Sequence, residues 1–555
     1  MEKIWLKNYQ EGVPAEINPD AYGSLVEIFE EACKKYGDKP SFVNMGETLS
    51  FKELQEKSRN VAAFFQSELG LKKGDRVAIM MPNLLQYPVT LFGILQAGLT
   101  VVNVNPLYTA RELEEQLIDC GSIAIVVLAN FAHVVQQVQK KTSLKHIIVT
   151  EVGDLFLWSK SILINWVVKT IKKMVPDWHI PGFISFKNVI KKGSQYSFQK
   201  PLIQSEDLAF LQYTGGTTSS RVKGVMLTHR NMVANVEQAT TWLVPIVTLG
   251  KEIIITALPL YHIFSLTANC LTFMRIGALN VLITNPRDMS TFIKELKRYP
   301  FTAITGVNTL FNALLNQPDF KKLDFSHLII SLGGGMAVQR AVAERWKKVT
   351  GTVLLEAYGL TETSPAVCIN PFNLTDYNGS IGLPVSSTEV SIRDNNGQEL
   401  PIGEAGELWI RGPQVTKGYW NKSKETEESL TEGWVHSGDI ATIDKEGYVR
   451  IVDRKKDMIL VSGFNVNPNE VEDIIALMPE VKEVAVVGYP NGTYGECVKA
   501  FIVKKDPLLT SEAVIAHCRK QLTGYKVPKE IEFRNELPKT AVGKILRRAL
   551  REKVD

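Results

Sequence analysis

Apolar positions follow two alternating periods along the first 300 residues. At 22–36, 51–69 and 84–97 they return every three to four residues, the spacing of a helix with one buried face. Between these stretches stand short runs rich in β-branched side chains, at 77–81, 101–104, 123–128 and 146–150. Strands spaced by helices of ten or more residues predict βα units and covered, largely parallel sheets. From 379 to about 452 the pattern changes. There 389–393 and 407–411 read as strands joined through the turn residues Asn395, Asn396 and Gly397 and the 403–406 stretch. After Asp453 the mixed pattern returns, with helices at 469–478 and 511–522 and strands at 483–487 and 498–503.

The expected architecture is therefore α/β. A large N-terminal domain, 1–452, holds layered α/β sheets and a β-rich subdomain at about 379–452, and a small α+β C-terminal domain covers 458–555. The charged run Asp453, Arg454, Lys455, Lys456 and Asp457 marks the boundary. Composition alone reads that run equally well as a solvated turn.

Length agrees with more than one domain: 555 residues exceed three domains of roughly 150. With 45% hydrophobic and 22% charged residues, the chain is neither disordered nor collagen-like. A net charge of +4 does not point to a nucleic-acid partner. The six cysteines (Cys33, Cys120, Cys270, Cys368, Cys497 and Cys518) are far apart with no CxxC pair, which suits a reducing compartment. The first ten residues lack a signal-peptide core, and no apolar run reaches the roughly 18 residues of a spanning helix. A cytoplasmic enzyme-sized protein is expected.

One loop carries the first chemistry. Tyr213, Thr214, Gly215, Gly216, Thr217 and Thr218 follow an apolar run at 208–211, and Lys223 precedes another at 225–227. Thr228 is placed to cap a following helix. Glycines admit a polyphosphate close to the backbone, while hydroxyls and N–H groups donate to its oxygens. The same composition also makes ligand-free hairpins. A Walker loop is excluded because Lys223 is followed by Gly224 and Val225. The run Gly333, Gly334, Gly335 lacks the last glycine of a dinucleotide fingerprint.

Five segments in order (213–224, 358–363, 437–439, 453–457 and 543–544) together resemble the adenylate-forming superfamily of acyl-CoA synthetases, luciferases and peptide-synthetase adenylation domains. The resemblance spans essentially the whole chain. It is nearest to the bacterial long-chain fatty-acid–CoA ligase branch, notably over 432–441 and 451–470. It implies ATP-dependent activation of a long-chain fatty acid to acyl-AMP with release of pyrophosphate, then displacement of AMP by coenzyme A. The first step brings an anion to a polyanion, so cations and fixed donors dominate its chemistry.

The resemblance implies roles residue by residue. Thr214, Thr217 and Thr218, with Tyr213, Gly215, Gly216 and Lys223, hold ATP phosphates. Glu362 is the magnesium ligand together with the hydroxyl of Thr214, and Mg2+ is the implied cofactor. Tyr358 stacks on adenine, Gly333, Gly334 and Gly335 leave room beside the base, and Gly359 and Thr361 belong to the same wall. Asp439 accepts the ribose hydroxyls, with Arg454 and Lys456 nearby. Lys544 reaches across the domain cleft to the carboxylate and α-phosphate, and His262 either meets the carboxylate or is a core histidine. Rotation of a mobile C-terminal domain about the hinge residue Asp453 would bring Ser462, Gly463 and Phe464 to the pantetheine arm of coenzyme A. Arg547, Arg548 and Arg551 lie close to Lys544 in a basic C-terminus, where a lysine is normally read as solvated.

Between 155 and 200 stand eight lysines and a single acid, Asp177. Ile164, Val167, Val168, Ile171, Met174 and Val175 recur at helical spacing with Lys169, Lys172 and Lys173 on other positions. That pattern suits either the surface of an anionic membrane, on the inner face of the cell membrane, or a core-facing helix with solvated lysines. Two other functions stay open: a ligase for aryl or medium-chain acids, and a nucleotide-impaired lipid-binding pseudoenzyme.

The second of these arises from one departure. The family has Gly after the second Thr of its loop and three residues before the Lys; here Ser219, Ser220, Arg221 and Val222 stand there. Losing Gly removes easy access to positive φ. Deleting one of these residues and restoring Gly is expected to lower the KM for ATP, and an unchanged KM would show that the longer loop is tolerated.

Overall fold

The computed structural model describes residues 2–214, 222–461, 464–491 and 495–551. Two large sheets organise the first part. One has seven strands in the order Ile184–Ser185, His146–Thr150, Ala124–Leu128, Arg76–Met80, Thr100–Asn103, Leu208–Thr214 and Lys223–Thr228. All its pairings are parallel except the last. The other has nine strands, with a parallel centre that runs from Leu354–Gly359 through Ile330–Gly334, Ala303–Gly306, Ile253–Thr256 and Leu279–Leu282 to Pro40–Asn44. Antiparallel strands close both of its edges.

The main core packs helices between these sheets. Every residue of the helix Gln86–Gln96 is buried, and Phe92 stacks on Phe29 with ring centroids 4.0 Å apart. Helix entry follows local chemistry. Ser50 and Glu53 form a reciprocal capping box before Phe51–Ser67, and Thr228 with Asn231 does the same before His229–Leu243.

The β-rich part is a five-stranded antiparallel sheet that includes Glu389–Arg393, Gly406–Arg411, Trp434–Ile443 and Val449–Arg454. The last sheet joins Val481–Asn491 to Gly495–Lys504 antiparallel, with Glu530–Arg534 added in parallel. The helices Pro468–Ala476 and Ser511–Arg519 share a hydrophobic cluster with this sheet. All six cysteines are free and buried. Among the described residues, no helix is long and apolar enough to cross a membrane.

The lysine-rich stretch departs from its expected pattern. An α-helix, Trp158–Trp166, runs on into a π-helical turn, Val167–Ile171, and the change of period divides the apolar set. Ile164 and Val168 lean on the main core and Val175 on a second cluster. Leu157, Trp158, Ile162, Leu163, Trp166, Ile171 and Met174 are instead exposed, Trp158 to 80%. Of the lysines, Lys160, Lys187, Lys192 and Lys200 are drawn into ion pairs with Glu47, Asp154, Glu68 and Glu30.

Candidate active site

Parallel strands of both large sheets deliver their carboxyl ends to one crevice, the usual ligand position in open α/β sheets. Leu208–Thr214 ends at Thr214, Leu354–Gly359 runs out into 360–363, and Ile330–Gly334 leads to Gly335. The strand Trp434–Ile443 adds Asp439, which lies opposite Arg454 in the ladder. From the C-terminal part, a turn closed by Thr540 N–H to the Lys544 carbonyl (2.7 Å) and Lys544 N–H to Thr540 Oγ1 (3.1 Å) presents Lys544. Gly543 has φ +88°, and its carbonyl accepts Thr309 Oγ1 at 2.8 Å, which ties the turn to the large domain. These groups border a single cavity of about 1340 Å³.

At one end lie Thr214, Lys223 and Glu362. Thr214 and Lys223 face each other across the hairpin ladder. Gly215, Gly216, Thr217, Thr218 and the altered residues Ser219, Ser220 and Arg221 between them lie outside the described residues, as do Ser462 and Gly463. Tyr213 does not offer its hydroxyl to the cavity: it donates to Asp119 Oδ2 at 2.5 Å and anchors the strand. Tyr419, which the sequence reading missed, links the group. Its hydroxyl donates to Glu362 Oε1 at 2.7 Å, and Lys223 Nζ stands 4.9 Å from its ring centroid. The only signal in the sequence was a Gly-Tyr-Trp run at 418–420, distant from every motif.

At the other end, Tyr358 donates to Asp439 Oδ2 at 2.5 Å and Arg454 Nε lies 3.4 Å from Oδ1. Burial raises the Asp439 carboxyl while Arg454 opposes that rise. Gly334, Gly335, Gly359 and Thr361 line the same space. Gly335 has φ +76°, and a side chain there would meet Lys544 Cε at 3.0 Å. Gly333 serves packing instead of making room for a base, because a side chain there would strike Val338 Cγ2 at 2.5 Å.

Lys544 stands where desolvation and the neighbouring Arg454 push its ammonium down to about 8. Burial, with Lys544 close by, pushes His262 down to about 3. The ring is therefore neutral at physiological pH, and its Nδ1 accepts the Phe264 N–H at 3.3 Å. Lys456 is on the cavity wall and is also lowered by burial.

Asp453 is 1% exposed and accepts from Asn469 N–H and Arg547 Nη1. Arg547 also donates to Glu472 Oε1 (2.8 Å) and Asn469 Oδ1 (2.6 Å), and Arg551 pairs with Asp457 at 3.0 Å. The basic end is thus built into the boundary between the two domains. Phe464 is not brought to the cavity. It is 57% exposed and stacks on Tyr525 with centroids 4.9 Å apart.

The helix His229–Leu243 and the nine-stranded sheet give the cavity an apolar part, its arm. Ala239, Leu243, Phe273, Ile330, Ile369 and Ile381 line it. Nothing in the sequence pattern separated these residues from ordinary core.

Cations and hydroxyls at the carboxyl ends of parallel strands, under a smaller second domain, define a nucleotide-using two-domain enzyme. The chain belongs to the AMP-binding enzyme family, whose model matches residues 29–420, with the AMP-binding enzyme C-terminal domain matching 470–544. It is 59% identical over 552 residues to a long-chain-fatty-acid–CoA ligase of Salmonella typhimurium strain LT2, covering 100% of this chain and 98% of the relative. A long-chain-fatty-acid–CoA ligase of Bacillus subtilis strain 168 is 38% identical over 555 residues, with 99% and 98% covered. Among solved structures, the anthranilate CoA ligase AuaEII in complex with anthranoyl-AMP superposes with a TM-score of 0.85 at 26% identity, covering 96% of this chain and 98% of that one.

Arg547→Ala leaves the buried carboxylates of Asp453 and Glu472 without their shared cation. The expected cost is about 3 kcal/mol, read as a lower urea midpoint together with faster proteolytic cleavage near 453–457.

Proposed function

We propose that this chain activates long-chain fatty acids to acyl-CoA through acyl-AMP, with ATP and coenzyme A as co-substrates. One observation carries the reading: a single cavity is lined both by the cation and hydroxyl groups around Lys544 and by an apolar arm, so it offers places to a polyanion and to a long acyl chain. In the first half-reaction a carboxylate oxygen bonds to the α-phosphorus as the bond to the β-phosphate oxygen breaks, and pyrophosphate leaves. In the second, the thiol sulfur of coenzyme A bonds to the acyl carbon, the acyl–phosphate bond breaks, the thiol proton is lost and AMP leaves.

The residues take the following parts. Lys544, protonated below about pH 8, sits between carboxylate and α-phosphate and offsets the negative charge that gathers there. Asp439, steadied by Arg454, takes the ribose hydroxyls and Tyr358 the adenine face, beside Gly334 and Gly335. Thr214, Thr217, Thr218 and Lys223 hold the outer phosphates. Neutral His262 serves as a hydrogen-bond partner, not as a charge, for the incoming carboxylate.

Among the described residues, no group of three or more His, Cys, Asp or Glu could enclose a metal ion. Glu362 and Thr214 supply the carboxylate and hydroxyl oxygens that suit Mg2+, which completes its shell with phosphate oxygens and water. When bound there, Mg2+ would neutralise phosphate charge.

We read 1–452 as the adenylation domain, 453–457 as a hinge and 458–555 as a domain that turns between half-reactions. The turn would carry Ser462, Gly463 and Phe464 to the thiol. Phe464's position away from the cavity fits a structure held in the orientation of the first step. The exposed apolar face at 157–174, flanked by Lys169, Lys172 and Lys173, fits peripheral contact with an anionic membrane, where long-chain acids partition.

Fatty-acid-dependent exchange of labelled pyrophosphate into ATP tests the activity; acyl-chain binding without exchange would mark a lipid-binding protein instead. Lys544→Ala is expected to nearly abolish acyl-AMP formation while thioester formation from supplied acyl-AMP is largely retained, and equal loss in both would refute its role. In the unaltered enzyme acyl-AMP formation should fall as pH rises through about 8, because the ammonium is lost above that value. Binding to anionic vesicles should weaken with added salt, and binding insensitive to salt would remove the electrostatic part of the membrane reading.

A further inference from the structure

The apolar lining of the arm is backed by a segment remote in sequence. Asn235, Ala239 and Leu243 line the arm at four-residue spacing along one face of their helix. That face runs about 12 Å from first to last by the helical rise. Leu243, Phe273, Ile369 and Ile381 on the same lining are all buried. They belong to one hydrophobic cluster with Trp5 and Trp242, against which Tyr9 and Phe372 also pack.

The strap at 4–10 packs behind these residues. Trp5 is 1% exposed and sits against Gly447, where a side chain would meet Trp5 Cα at 2.5 Å. Asn8 Nδ2 donates to the Glu446 carbonyl at 2.6 Å, and the Tyr9 hydroxyl donates to the Pro384 carbonyl at 2.5 Å. The Tyr9 ring meets Trp242 edge-on, with centroids 5.3 Å apart.

Gln10 is the clasp. It is 5% exposed, and both ends of its amide are used. Nε2 donates to the Trp242 carbonyl at 2.7 Å, and Oε1 accepts the Phe372 N–H at 2.8 Å. The Trp242 carbonyl is one of the last four of its helix, which have no partner within the helix. The amide therefore ties the helix end beside Leu243 to the backbone of Phe372, and both residues line the arm. The side walls of the arm are backed by a hydrogen-bonded sheet and cannot yield without breaking ladders. The strap is a five-residue 3-10 turn and an extended piece, held largely by side-chain bonds.

We infer that the strap clasped by Gln10 is the end stop of the acyl arm and sets the longest chain the enzyme accepts. This rests on the proposed acyl activation. Both the limit and its position are specificity determinants carried by residues that touch no reacting atom.

The test is kcat/KM over saturated acids from decanoate to tetracosanoate, measured for the full chain and for Gln10→Ala, Tyr9→Phe and Leu243→Trp. Gln10→Ala is expected to raise kcat/KM for the acids beyond the normal limit about tenfold relative to decanoate. Tyr9→Phe, a smaller change that keeps the ring packing, should move the limit the same way by less. Leu243→Trp, which fills the arm from its wall, should move it towards shorter acids. A merely structural clasp would instead lower the thermal midpoint and scale activity equally at every length. That result, or an unmoved limit in all three variants, overturns the proposal. An unaltered enzyme that activates none of the acids overturns the acyl-activation reading itself, which the pyrophosphate exchange reports independently.

Discussion

The site depends on a lysine ammonium taken largely out of water beside a second, half-exposed cation. Lys544 and Arg454 face one buried carboxylate, Asp439, and the desolvated ammonium responds by losing affinity for its proton. An incoming polyanion relieves that imbalance. Its phosphates supply the countercharge that the protein withholds, which is the condition under which fixed cations act most strongly on a developing negative charge. The cavity between the domains is thus arranged for an anion before one arrives.

The same electrostatic logic fastens the smaller domain to the larger. Arg547 carries the charge of Asp453 and Glu472 at once, and Arg551 takes Asp457. The residues that compensate the boundary lie only a few positions after Lys544 in the chain. The segment that delivers the lysine to the cavity therefore also locks the orientation in which it is delivered. Gly543, bound through its carbonyl to Thr309, adds a neutral tie from the opposite wall. At the phosphate end, Tyr419 plays a comparable part by joining Lys223 and Glu362, which come from different sheets.

Acyl-chain recognition is built from another kind of contact. The arm is lined largely by apolar side chains of a helix and a sheet, and the proposed reading makes chain length a matter of available space. Behind that lining the Gln10 amide satisfies a helix-terminal carbonyl. The proposed end stop would separate the two recognition problems, with charge selecting what reacts and packing limiting its length.

The order of elements was legible in the sequence because it depends on neighbours in the chain. Period-two and period-three-to-four patterns located strands such as 146–150 and 389–393 with their observed bounds, and the hydroxyl of Thr228 marked a helix start. The family resemblance carried by five motifs implied Thr214, Glu362, Tyr358, Asp439 and Lys544 as candidates, and the fold brings all five to one cavity. What the chain order could not disclose is which distant groups share a buried space. Tyr419 beside Glu362, Arg547 between two buried carboxylates and Gln10 behind the lining of the arm are joined by contacts over 57, 94 and 362 residues. Exposure at 157–174 was equally hidden, since an apolar face looks the same in sequence whether or not another element covers it. Local spacing determines which chemistry a segment can offer; only the tertiary packing decides what that chemistry meets, because desolvation and partner choice are properties of assembled surfaces.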